Sequence, residues 1–97
     1  MEMPHHVLER IRELVRDLRY EVTDHAWDEI AEDNLLVVDV ETAVLTGEIV
    51  REDRGDPRGT VYVIEGVGTN RETPIGVAVR FNQRENVVVI TAYKIDE

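Results

Sequence analysis

The chain has 97 residues, with 21 acidic against 11 basic side chains, a net charge of −10 and a mean hydropathy of −0.30. That length suits one domain. The absence of cysteine excludes disulfides and thiolate zinc sites, the absence of serine excludes a serine nucleophile, and no apolar run approaches the roughly 20 residues of a membrane helix. The charge is unevenly placed. Met1–Arg19 and Arg54–Glu97 are each balanced, whereas Tyr20–Asp53 holds eleven acids and one base, Arg51. Such a segment repels phosphate backbones and suits a basic partner or simple solvation. MEMPHHVLER lacks the layout of a secretory signal, so a cytoplasmic location is expected.

In PHHVLERIRELVRDLRY, Val7, Leu8, Ile11, Leu14, Val15 and Leu18 recur at helical spacing. An amphipathic helix over Pro4–Arg19 is expected, with Glu9, Arg10, Arg12, Glu13, Arg16 and Asp17 facing water. Adjacent His5 and His6 diverge by about 100° on a helix and do not chelate as a pair. Thr23 and Asp24 are good N-cap residues for a second helix over His25–Asp33, with Ala26, Ile30 and Trp27 turned inward. DVETAVLTG is a third short helix with Gly47 as its stop. The period then changes to two. Ile49–Arg54, Thr60–Val67, Ile75–Phe81 and Val87–Tyr93 read as strands joined by the turns GDPRG, GTNRETP and NQREN. The expected architecture is a single α+β domain: N-terminal helices packed on one face of a four-stranded antiparallel meander. The nearly continuous apolar run of the last strand fits one covered on both faces.

Few residues are candidates for chemistry. Gly66 and Gly68 form a G-x-G with no helix after it, so phosphate-loop readings fail on context. His25 shares a helical face with Glu29, and a histidine–carboxylate pair can act as a general base. Arg80, on a strand face with Tyr62 or Tyr93, can make an anion site. The run Leu35–Val38 cannot be wholly buried by one short connection, so Leu36, Val37 and Val38 are candidates for a contact surface. No metal or cofactor is called for.

YEVTDHAWDEI, DVETAVLTGEIV, RGTVYVIEG and VVVITAYK, in that order, resemble an uncharacterised family of small prokaryotic domains similar to RelE/ParE-like toxins. The similarity covers Tyr20–Tyr93, with the first helix as an extension over residues 1–19. It implies a curved antiparallel sheet and, at furthest reach, metal-independent RNA cleavage by a general base and acid with a cation for the phosphorane charge. The chemical candidates it implies are a helix histidine, kept here as His25, two arginines and a strand histidine; a ribonuclease would here have to use His25 with Tyr93, Thr91 and an arginine such as Arg80. Two arginines of the family pattern fall at Glu29 and Asp33, and a strand histidine falls at Gly76. The expected function is therefore a binding or regulatory module that has lost its catalytic set, acting by self-association as a homodimer or on a basic protein partner. The alternative is a toxin-like endoribonuclease acting on RNA. No membrane role is expected.

Overall fold

The structure is a computed structural model that describes residues 4–96; the side chain of His5 lies outside the described residues. Three helices and five strands run in the order α1 (Pro4–Arg16), β1 (Tyr20–Val22), α2 (Asp24–Glu32), α3 (Val37–Thr46), β2 (Glu48–Asp53), β3 (Val61–Val67), β4 (Pro74–Phe81) and β5 (Val87–Lys94). The sheet order is β1-β5-β4-β3-β2. The expected antiparallel meander is present as β2 to β5, but the sheet has five strands rather than four. The fifth is β1, which pairs parallel to β5 with Glu21 opposite Val88. Three residues are too few for a period-two pattern to register, and the pairing partner lies at the far end of the chain.

All three helices pack on one face of the sheet. Leu8, Ile11, Leu14 and Val15 of α1, Ala26 and Ile30 of α2, and Val40, Ala43 and Val44 of α3 meet Ile64, Ile75, Val77, Val79, Val87, Val89 and Ala92. The first helix is thus part of the core. It ends three residues earlier than the periodicity suggests, because Leu18 turns to φ 59°. There the Leu18 N–H donates to Val15 O (3.1 Å) and the Arg19 N–H to Leu14 O (2.8 Å), a Schellman closure that satisfies two terminal carbonyls. α2 closes the same way around Asn34 at φ 56°. Arg12 faces inward, not to water: its guanidinium donates to Val44 O (3.3 Å), Gly47 O (2.6 Å) and Glu9 Oε1 (2.6 Å). It therefore binds α1 to the carbonyl end of α3, where a cation is favoured.

α3 begins within the apolar run. Leu36 is its N-cap and has no side-chain acceptor, so Asp39 reaches back to the Leu36 N–H (3.0 Å) while also accepting from the Thr69 N–H and hydroxyl. At its other end α3 approaches β3 closely. A Cβ at Gly66 would lie 2.1 Å from Ala43 O, and one at Gly47 would lie 2.4 Å from Glu65 O. Gly47 has extended backbone, so it is required for space rather than for a left-handed stop.

Gly66→Ala must push α3 off the sheet. The expected cost is about 1–3 kcal/mol of stability, read as a lowered midpoint in urea. An unchanged midpoint would refute the close approach.

Candidate functional site

β1 flanks β5 only as far as Val89, and the remaining edge of β5 is met by α2. The Thr23 N–H donates to Val89 O (3.1 Å) and its hydroxyl to Ile90 O (3.1 Å), while Thr23 Oγ1 accepts the Ala26 N–H as the N-cap of α2 (3.1 Å). Glu29 Oε1 accepts from the Thr91 hydroxyl and from the Ala92 N–H (3.2 Å). One turn on, Asp33 Oδ2 accepts from the Lys94 N–H (2.7 Å). The two acids that stand where the resemblance calls for arginines are thus employed in finishing the sheet.

His25 lies at the outer end of this row. Its side chain is 72% exposed, with Nε2 3.5 Å from Glu29 Oε1. His25 and Thr91 therefore meet through one carboxylate, but with Glu29 in the middle. A hydroxyl is activated by a base bonded to it and oriented from behind; here the histidine stands beside the carboxylate and makes no hydrogen bond to the hydroxyl.

Tyr93 and Arg80 lie on the sheet face away from the helices. Tyr93 pairs with Gly76 and Arg80 with Val88. The Tyr93 ring lies across Gly76 so closely that a Cβ there would stand 2.5 Å from the ring. The position expected to carry a strand histidine is therefore filled by the tyrosine. Arg80 is four residues along β4 from Gly76, roughly 13 Å away. Tyr62 is on the opposite face, edge-on to Phe81 with ring centroids 6.2 Å apart, so neither tyrosine joins Arg80. Arg80 instead lines a cavity to which His25, Thr91 and Tyr93 do not contribute. Among the described residues no three His, Asp or Glu side chains gather as a metal site, and no helix is long and apolar enough to cross a membrane.

A second feature is apolar. Leu35 packs against the core, while Leu36 is 65% and Val38 42% exposed, with Val37 half-buried between them. Val37 lines a groove of about 380 Å³ with Leu18, Tyr20, Glu21, Val22 and Trp27. Leu18 (72% exposed) and Trp27 (47%) form its outer wall; Trp27 does not turn inward, because Ala26 and Ile30 already fill that face of α2. The groove runs beside β1, the outermost strand of the sheet. Its floor is anchored by Tyr20, whose hydroxyl donates to Glu41 of α3. Burial, then the hydrogen bond to Glu41 and its negative charge, push the Tyr20 phenol well above its ordinary range.

The profile of a family described as Domain of unknown function (DUF4258) matches residues 22–94. Comparison with curated proteins and with solved structures returns no match.

Glu29→Ala leaves the Ala92 N–H and the Thr91 hydroxyl without their partner. It should cost about 1–3 kcal/mol in urea unfolding, whereas His25→Ala should stay within about 0.5 kcal/mol. Equal losses would contradict this division of roles. The Tyr20 shift has a definite sign. A phenol raised in the fold adds stability that is complete below the unfolded value of about 10 and drains as pH rises above it, where only the unfolded chain ionises. Urea midpoints at pH 9 and 11 should therefore fall more for the native chain than for Tyr20→Phe. Parallel falls would exclude the shift.

Proposed function

We propose that this chain, which belongs to the DUF4258 family, is a non-catalytic binding module of RelE-like ancestry that takes a basic protein segment into the groove between Leu18, Trp27 and Val37. The observation that carries this reading is Leu18. A leucine in left-handed backbone costs roughly 1 kcal/mol relative to glycine, and here the residue is also 72% exposed. Its backbone closes α1 but its side chain adds little burial to the isolated chain; Arg71 and Glu85, in turns, share the left-handed backbone without an apolar side chain. Leu36 and Val38 extend the same apolar surface along the start of α3.

The charge around the groove selects the partner. Leu18 lies just before the stretch from Tyr20 to Asp53 that holds the entire excess of −10, and the rest of the groove falls within it. A second copy meeting this surface with its own would bring like charges together, while a segment with apolar side chains and Lys or Arg between them satisfies both requirements. The open edge of β1 suits an extended chain added as a strand.

The endoribonuclease reading needs a base, an acid and a cation around one phosphate. The roles of Glu29 and Asp33, the exposure of His25 and the distance to Arg80 all weigh against it.

Trp27 is the chain's one tryptophan, so its emission can be titrated directly. An extended peptide alternating Lys with Val should shift it with an affinity that falls as salt rises, and the same peptide with Glu for Lys should not. Leu18→Gly should stabilise the fold by about 1 kcal/mol and weaken peptide binding. Equal binding of both peptides, a dimer in sedimentation that Val37→Asp dissolves, or cleavage of total RNA lost in His25→Ala would each overturn the proposal.

A further inference from the structure

The cavity that holds Arg80 measures about 660 Å³, within the size range of small-ligand sites. It lies at the end of the sheet face the helices leave open. Arg80 comes from β4, Arg58 from the turn between β2 and β3, Asn82, Arg84 and Asn86 from the turn between β4 and β5, and Glu21 from β1. Three arginines thus converge on one face of a chain whose net charge is −10.

The three arginines are not equivalent. Arg58 is held by Asp56, through Nε to Oδ1 (3.2 Å) and Nη2 to Oδ2 (3.1 Å). Those bonds, with the charge of Arg80 adding a smaller effect, keep the Asp56 carboxyl below its usual range. Arg58 is therefore already compensated. Arg80 and Arg84 form no salt bridge among the described residues. The Nε of Arg80 is shut off from solvent yet donates to nothing, and the Oδ1 of Asn86 is likewise buried without a partner. A buried orphan donor and a buried orphan acceptor, both on residues that line one cavity, each cost the isolated chain free energy.

The loop that presents them is built for rigidity. Asn82 Oδ1 accepts the Arg84 N–H (2.9 Å) and the Asn86 N–H (3.0 Å), while the Asn82 N–H donates to Asn86 O (2.9 Å). The site is therefore pre-organised, which lowers the entropic cost of binding.

We infer that this cavity binds a small hydroxyl-bearing phosphomonoester, such as a sugar phosphate. A phosphomonoester carries a charge of about −1.5 to −2 at neutral pH, which attracts the guanidiniums of Arg80 and Arg84, neither of them held in a salt bridge among the described residues. Arginine presents donors in a fork that matches its oxygens. The Glu21 carboxylate is an acceptor that a bare anion cannot use and that sugar hydroxyls can. The inference is independent of the groove beside β1, since it concerns another face and another chemistry.

Calorimetry with ribose 5-phosphate, ribose and inorganic phosphate tests it. The expected order is ribose 5-phosphate tightest, phosphate weaker and ribose undetectable, with ribose 5-phosphate raising the melting temperature. Arg80→Met keeps the length and apolar stem while removing the orphan donor. It should lower ribose 5-phosphate affinity by at least about tenfold and leave the ligand-free protein as stable as the native chain or more so. Arg84→Gln, on the exposed turn, should weaken binding without altering the fold. If ribose 5-phosphate fails to bind, if Arg80→Met binds it unchanged, or if a single-stranded RNA lacking terminal phosphates competes at equal affinity, the inference is wrong.

Discussion

A strand edge inside a folded chain must be finished, and here the edge is that of β5. β1 covers it only to Val89, leaving the backbone donors of Ala92 and Lys94 on the far half. Orphan donors destabilise, and a bare edge recruits other chains. α2 meets both problems through a coincidence of two repeats. Four residues of helix rise about 6 Å and two residues of strand about 6.7 Å. Glu29 and Asp33, four apart on α2, therefore keep step with Ala92 and Lys94, two apart on β5. With Thr23 bonded at Val89 and Ile90, the helix acts as a substitute strand along three successive points.

This edge bears directly on the chemistry of the chain. A guanidinium is donor-only and cannot accept a backbone N–H. The positions of Glu29 and Asp33 cannot both hold arginines for a phosphate and finish the edge in this manner. The acids are thus more than a local reversal of charge: they belong to a different solution of the same helix–sheet contact. His25, left outside the row, is an exposed neighbour of Glu29 rather than the centre of a relay. On the open face, the Tyr93 ring of β5 lies across Gly76 of β4 and leaves no room there for a side chain.

Much of this arrangement was legible in the sequence because it rests on periodicity. The helical spacing of α1, the Thr23 cap and the alternation after Glu48 placed seven of the eight elements to within a few residues. Those signals are local. What remained hidden depends on elements meeting across the chain. β1 is three residues whose strand character exists only beside Val87–Val89, and once β1 is missed, the unfinished edge and the purpose of the two acids are missed with it. Arg12 reads as a solvent residue on a helical wheel, but its target, the carbonyl end of α3, is absent from the wheel. The cavity around Arg80 draws on two turns and the two strands β1 and β4, each unremarkable alone. Arg80 could be singled out from the sequence, but beside Tyr62 or Tyr93; the turn residues that line its cavity could not.

The costs that remain in the fold all lie on its surface. Two helices end in the same Schellman geometry. One uses Asn34, a residue that tolerates left-handed backbone, and the other uses Leu18, which does not. Had stability alone decided, glycine or asparagine would serve at both. The orphan donor of Arg80 is a cost of the same type, since any apolar side chain at that position would bury without penalty. The core carries no such features: its buried residues are apolar, and no polar or charged residue is buried with them among the described residues. Local rules agree throughout the core and fail outside it, in the left-handed backbone of Leu18, Arg71 and Glu85 and in the orphan atoms of Arg80 and Asn86. Leu18 lines the groove beside β1 and Arg80 the cavity on the open face, so the proposed apolar cover and the proposed anion would each relieve one of these costs.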